Sequence, residues 1–252
     1  MRKIEINPKI ISADEGFYFG KAVFETILWL EQPVLLGAHL KRMTDAMKKL
    51  DILAFTETEK QALAGLMQEK NLKNQAVKLV VSDANLVVST RALTYTPETY
   101  EKGFSLKTSA IRRNASSEVA LYKTVGYLEN IREHRSALEQ GYDDMLFYNE
   151  STQLCETAIA NIFMVSEGEI LTPPVSAGLL PGILRQWVLD NADVQVKMLT
   201  HDDVMAAEEF FITNSLMGIM PVKAIDDRPL VFGEITKKLH NTYRAFIQAH
   251  YA

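Results

Sequence analysis

The sequence contains a single cysteine, Cys155, in 252 residues. One thiol can form no intrachain disulfide and no cysteine-based zinc site. Such a chain suits a reducing cytosol. Basic residues are in deficit: 27 Lys and Arg stand against 32 Asp and Glu, a net charge of −5. A nucleic-acid surface needs clustered Lys and Arg, so the balance speaks against that class of partner. Long apolar runs are lacking too. None could cross a bilayer, and Met1-Arg-Lys-Ile-Glu5 has no signal-peptide core. A cytoplasmic location and no membrane partner are therefore expected. There is no low-complexity tract and no internal repeat.

What is present fits a globular protein. Apolar residues make up 47% and charged residues 23%, enough for a real core in one large domain or two small ones. Ile4, Ile6, Ile10 and Ile11 predict a strand or two at the start. Gly16 and Gly20 frame the aromatic cluster Phe17-Tyr18-Phe19, which predicts a tight turn or a close backbone approach. Val34–Leu36 reads as a strand. Leu40, Met43, Met47 and Leu50 recur at helical spacing, with basic residues on the other face. Thr56-Glu-Thr-Glu59 is a capping box that opens a helix through about Glu69, with Leu63, Leu66 and Met67 inward. Val77–Ser82 and Leu86–Tyr95 read as strands joined by Asp83-Ala84-Asn85.

The stretch 108–118 is polar and without apolar period, so the boundary is placed there: a smaller α/β domain at 1–107, a linker at 108–118 and a larger β-rich α/β domain at 119–252. A helix is predicted from about Tyr127 to Gln140, with Leu128, Ile131 and Leu138 as its apolar face and Gly141 as its stop. Strands follow around Met145–Tyr148 and Ile159–Val165. Ser166-Glu-Gly168-Glu reads as a hairpin turn, and Pro181-Gly182 precedes a helix at Ile183–Leu189. Further on come strands at Val194–Met198, Phe210–Thr213 and Val222–Ile225, a short helix at His201–Glu208, and a terminal helix at Glu234–Gln248.

Between Leu121 and Val165 the chain holds a lysine, Lys123, just ahead of a helical pattern, and a glutamate, Glu156, just ahead of an apolar run. Taken alone, Lys123 is one of many basic residues and Glu156 could be a strand-edge surface charge. The wording around them is more specific. Lys123-Thr-Val-Gly-Tyr127-Leu-x-Asn130, Glu156-Thr-Ala-Ile-Ala-Asn161-Ile-Phe163, Ile170-Leu-Thr-Pro-Pro174 and Gly182-Ile-Leu-Arg185 resemble, in order and spacing, the class IV aminotransferase family of pyridoxal-phosphate enzymes. The resemblance spans Gly16 to about Asp227.

It implies fold type IV, an α/β (α+β) architecture of two domains with the active site in the crevice between them, a homodimer and pyridoxal 5′-phosphate as cofactor. Lys123 would form the Schiff base and shuttle the proton. Glu156 would face the protonated pyridine nitrogen. Arg42, in the His39-x-x-Arg42 element, would bind the cofactor phosphate with its planar fork. The backbone of Ile183 and Leu184 at a helix start would join it, with Ser215. Tyr127 would lie near the phenolic oxygen, and Thr26, in the Val23-Phe24-Glu25-Thr26 segment, would orient the leaving group. The family's arginine and glycines are missing at Asp83-Ala84-Asn85. Asn214-Ser-Leu-Met-x-x-Met220-Pro-Val resembles the aminodeoxychorismate lyases, with a branched-chain or D-amino-acid aminotransferase as the alternative. Leu216 and Met217 would fill space that a transaminase keeps open; the blander reading makes them core residues. Cys155 reads as a buried filler.

Overall fold

The computed structural model describes residues 2–69 and 72–251. The chain forms two compact units: residues 1–94, 122–127 and 247–252 make the first, and 95–121 with 128–246 the second.

The first unit is built on a four-stranded sheet of order β1-β4-β3-β2, with β1 at Lys3–Ile6, β2 at Val23–Trp29, β3 at Gln75–Val81 and β4 at Asn85–Ala92. Strand β1 lies parallel to β4, while β4, β3 and β2 run antiparallel. Strand β2 would be an open edge. The segment 122–127 takes that edge instead: Phe24 N–H donates to Lys123 O at 2.8 Å and Val125 N–H to Ala22 O at 3.0 Å. Strand alternation gives β2 two faces. Val23, Ile27 and Trp29 join Met43 and Met47 in the core. Phe24, Thr26 and Leu28 point the other way.

Helix α1, Glu15–Phe19, stands where a tight turn was expected, and Gly20 ends it at φ 74°. The predicted close approach is real at Gly16, where a Cβ would lie 2.6 Å from Ser82 Cβ. Residues Ile10 and Ile11 form no strand and are exposed. Val34–Leu36 is not a strand either. Leu35 is left-handed at φ 53° and caps helix α2, Leu36–Lys49, so the three-residue apolar run was too short to tell strand from helix entry. Helix α3, Glu57–Glu69, opens on the expected capping box: Thr56 N–H donates to Glu59 Oε2 at 2.9 Å and Glu59 N–H to Thr56 Oγ1 at 3.2 Å. Leu63 is buried; the side chains of Leu66 and Met67 lie outside the described residues.

The second unit begins with helix α4, Pro97–Lys102, and is β-rich. Strands β5 (Phe104–Arg113), β6 (Asp144–Asn149), β7 (Leu154–Thr157), β8 (Asn161–Ser166), β11 (Glu209–Asn214) and β12 (Gly218–Ile225) pair in the order β8-β11-β12-β5-β6-β7, and β7 pairs back to β8 through Glu156 and Asn161. The result is barrel-like. Strands β9 (Glu169–Thr172) and β10 (Val194–Val196) extend it, and β13 (Arg228–Pro229) pairs with β12. Phe210, Ile212, Ile162, Met164 and Met220 are among the residues that fill its core.

Two sequence readings change here. Residues 108–113, expected as linker, complete β5, and the units divide at Thr94 instead. Polar residues on a largely exposed stretch of strand, paired with β6, leave no apolar period to read. Helix α5, Leu128–Glu139, buries Asn130 and Ala137, while Leu128 and Leu138 are exposed. Helices α6 (Ile183–Asn191), α7 (His201–Ala206) and α8 (Glu234–Tyr251) match their predicted places.

Candidate active site

In the first unit the site is centred on Lys123. The edge hydrogen bonds to β2 fix its backbone, and its Nζ lies 4.6 Å from the centre of the Phe24 ring and 4.7 Å from that of Tyr127. The two rings meet edge-on at 5.3 Å. An ammonium is attracted to the face of an aromatic ring. Thr26 stands two residues along the same face of β2.

Lys78 was not foreseen. It is paired in register with Thr26 across β2 and β3, and its Nζ lies 4.2 Å from the same Phe24 ring. Burial of its surroundings lowers the pKa of its ammonium, and the charge of Arg91 lowers it further. Among the described residues it has no acidic partner. The available signal was a lysine in the otherwise apolar run Ala76-Val77-Lys78-Leu79-Val80-Val81. A charge that interrupts a strand is either on a solvated face or aimed at something.

Arg42 takes a different place. It lies on the helix-covered side of β2, where Nε and Nη2 each donate to Glu25, to Oε1 and Oε2, at 2.7 Å. His39 Nδ1 stands 2.7 Å from Glu25 Oε2. Burial would raise the Glu25 carboxyl; the hydrogen bonds from His39 and Arg42 outweigh it and bring the pKa down to about 2. A carboxylate that stays charged can only accept, so Nδ1 carries the proton.

The second unit carries the glutamate singled out in the sequence. Glu156 is buried, 8% exposed, on β7. Its Oε2 accepts from Leu180 N–H at 3.2 Å and from Asn161 Nδ2 at 3.4 Å. Its Oε1 stands 3.8 Å from Arg113 Nη2. That guanidinium covers the Phe147 ring at 4.0 Å and donates from Nη1 to Glu129 at 2.6 Å. A strand-edge surface charge does not describe Glu156. Beside it, Cys155 donates to Ala177 O at 2.9 Å, and burial, with the Glu156 charge next, pushes its thiol up to about 12. Cys155 is thus the inert filler expected.

Gly182 is the N-cap of α6, so the first N–H groups of Ile183 and Leu184 head a helix. A Cβ on Gly182 would fall 2.0 Å from Asn161 Oδ1, so this approach needs glycine. Asn161 Nδ2 also donates to Leu180 O at 2.8 Å, which ties the turn before α6 to Glu156. Ser215 lies in the turn between β11 and β12, where Asn214 Oδ1 accepts from the N–H groups of Leu216 and Met217 at 3.0 and 2.9 Å. The adjacent Thr213 hydroxyl is buried with no hydrogen-bond partner. Met217 packs into the barrel core, 1% exposed. It is a core residue, and Leu216 is half-buried. No group of His, Cys, Asp and Glu that could hold a metal is found among the described residues.

Comparison with known proteins places these features in a family. Residues 22–225 match the model for amino-transferase class IV. A putative branched-chain-amino-acid aminotransferase of Methanocaldococcus jannaschii is 29% identical over 95% of this chain and 92% of its own. The aminodeoxychorismate lyase of Bacillus subtilis is 28% identical over 93% and 88%. The fold is shared with a putative 4-amino-4-deoxychorismate lyase structure from Legionella pneumophila, at a TM-score of 0.86 and 24% identity over 96% of this chain and 98% of that one.

Proposed function

The chain belongs to the class IV aminotransferase family, a fold type IV, pyridoxal-phosphate-dependent group, and from that premise we propose that it is a 4-amino-4-deoxychorismate lyase. Its products would be pyruvate and 4-aminobenzoate, a folate precursor. The observation that carries the reading is the pair of ammonium groups, Lys123 and Lys78, against one Phe24 ring. A substrate with two carboxylates suits a second cation beside the reacting amine. A branched aliphatic side chain does not.

The residues fit the cofactor. Lys123 offers an amine against two aromatic faces, Glu156 a buried carboxylate, α6 a helix start open to backbone approach, and Thr213 a buried hydroxyl lacking a partner beside Ser215. When bound, the cofactor supplies an electron sink for negative charge on the carbon that bears nitrogen.

The chain's own groups do the rest. Lys123 Nζ would hold the cofactor aldehyde and, once free, would take the proton from the substrate carbon bearing nitrogen and return one to the departing enolpyruvyl group. Glu156 would accept the hydrogen bond of the pyridine N–H and keep that proton in place. Tyr127 would lie near the phenolic oxygen. Arg42, the N–H groups of Ile183 and Leu184, and Ser215 would hold the phosphate. Thr26 orients the leaving group, and Lys78 binds a substrate carboxylate. The protein would act as a homodimer.

The M. jannaschii relative favours the second reading, an aminotransferase with the same lysine, glutamate and phosphate clamp. Incubation with 4-amino-4-deoxychorismate, made from chorismate and the amidating synthase, should yield 4-aminobenzoate. Sustained amino transfer from an amino acid to 2-oxoglutarate, with no 4-aminobenzoate, would replace the lyase by the transaminase.

A further inference from the structure

We propose that Thr213 is a further ligand of the cofactor phosphate: its buried hydroxyl, on the sheet face that meets the start of α6, donates to the anion held by the first N–H groups of that helix. The inference rests on the reading of Ile183 and Leu184 as phosphate ligands and adds a side chain to them.

Thr213 lies on β11, directly opposite Asn161 of β8. Opposed residues of paired strands share one face of the sheet. On that face Asn161 reaches the start of α6: its Nδ2 donates to Leu180 O at 2.8 Å, and its Oδ1 stands 2.0 Å from where a Cβ on Gly182, the N-cap, would fall. Thr213 is therefore the neighbour of the side chain that touches this helix end. It is 1% exposed, and its Oγ1 has no hydrogen-bond partner. A buried hydroxyl left unsatisfied is unfavourable and calls for an acceptor. The helix end presents donors as well, because its first N–H groups have no partner within the helix.

Arg185 points the same way independently. It sits in the first turn of α6 and is 5% exposed, and helical side chains lean toward the N-terminus. Its Nη2 donates to Pro173 O at 2.9 Å, while its Nε has no partner. Burial alone lowers its pKa; no acid acts on it. A buried guanidinium without a carboxylate, at the positive end of a helix dipole, is unfavourable on both counts. An anion with several oxygens offsets both and gives the hydroxyl its acceptor. The row of opposed residues continues to Glu156, which pairs with Asn161 across β7 and β8. The acid and the hydroxyl thus stand two strands apart on one face, about 10 Å between backbones. Pyridoxal phosphate likewise carries its nitrogen and its phosphate arm at different positions of one ring.

The test separates phosphate binding from general support. The whole chain, stripped of cofactor, is titrated with pyridoxal phosphate and with pyridoxal, which lacks the phosphate. Thr213→Val replaces the hydroxyl by a methyl of similar size. It should weaken pyridoxal phosphate roughly tenfold, the size expected for one hydrogen bond to a charged group, and leave pyridoxal unchanged. The melting temperature of the stripped variant should not fall, because the hydroxyl has no partner to lose. Equal loss for both aldehydes, or no loss for either, overturns the proposal. The parent chain is the control. If it binds the two aldehydes alike, and inorganic phosphate does not compete with pyridoxal phosphate, the phosphate reading of α6 fails and the role of Thr213 with it. If the parent prefers the phosphorylated aldehyde and Thr213→Val keeps that preference, only the role given to Thr213 fails. Should Thr213→Val not fold, Thr213→Ser and Thr213→Ala differ from each other only in the hydroxyl. The serine variant should keep the preference and the alanine variant lose it; equal preference in the two overturns the proposal.

Discussion

Lys123 bears the most in the proposed chemistry and gives the plainest test. Lys123→Ala should abolish both turnover and the visible absorbance of lysine-bound cofactor; turnover that survives excludes Lys123 as the attachment point. Arg42→Ala should weaken cofactor binding by about 1.5–3 kcal/mol, the cost of a charged hydrogen bond, as read by cofactor titration. In the proposed reading, Lys78 distinguishes an acidic substrate from an aliphatic one. Lys78→Ala should raise KM for 4-amino-4-deoxychorismate about tenfold with little change in kcat, because a group that binds ground state and transition state alike acts on KM. A fall in kcat with KM unchanged would move Lys78 from substrate binding to the chemistry. The sequence pointed to Lys123 and Glu156 through their motifs. It pointed to Lys78 only as an interruption in an apolar strand, because register with Thr26 is a pairing between distant segments.

The elements show the same division. Helix α6 was readable from Pro181-Gly182, and glycine there is required by contact: a Cβ at 182 collides with Asn161 Oδ1. Gly182→Ala should displace Asn161, which also holds Leu180 and Glu156. It should cost about 1–3 kcal/mol of stability and weaken cofactor binding, to be checked by thermal melts and titration. A variant as stable and as tightly bound as the parent would mean that the turn relaxes freely. The capping box at Thr56–Glu59 and the hairpin at Glu167-Gly168, with φ of 52° and 79°, were legible because their signals are local. Leu35 was not. Its left-handed backbone, the wet sides of Leu128 and Leu138, and the strand hidden in 108–113 are set by what packs or pairs alongside.

For the molecule as a whole, Glu25 gives a dependence on pH. Its carboxyl falls from 4.5 in the unfolded chain to about 2 when folded. A depressed acid stabilises the fold above its unfolded pKa, and that contribution is lost as pH falls through the folded value. About 3 kcal/mol should therefore disappear between pH 4.5 and 2, and Glu25→Gln should flatten that part of the curve in chemical denaturation. A parallel loss in the variant would assign the acid sensitivity elsewhere. Phe17, Tyr18 and Phe19 form an exposed aromatic cluster in the first unit, apolar surface in keeping with the proposed homodimer; sedimentation should give twice the chain mass, and a monomer at working concentration would reject it. Among the described residues no helix is long and apolar enough to cross a membrane.

The sequence by itself determined the family and the cofactor class and singled out the candidate lysine and acid, since these are carried by short runs whose chemistry needs those residue types at those spacings. Tertiary structure alone decided that β7 closes on β8 at Glu156, that Lys78 shares a ring with Lys123, and that the fork of Arg42 rests on Glu25. The shared ring joins segments far apart in the chain, and all three contacts draw their energy from burial and pairing that the residue pattern alone does not reveal.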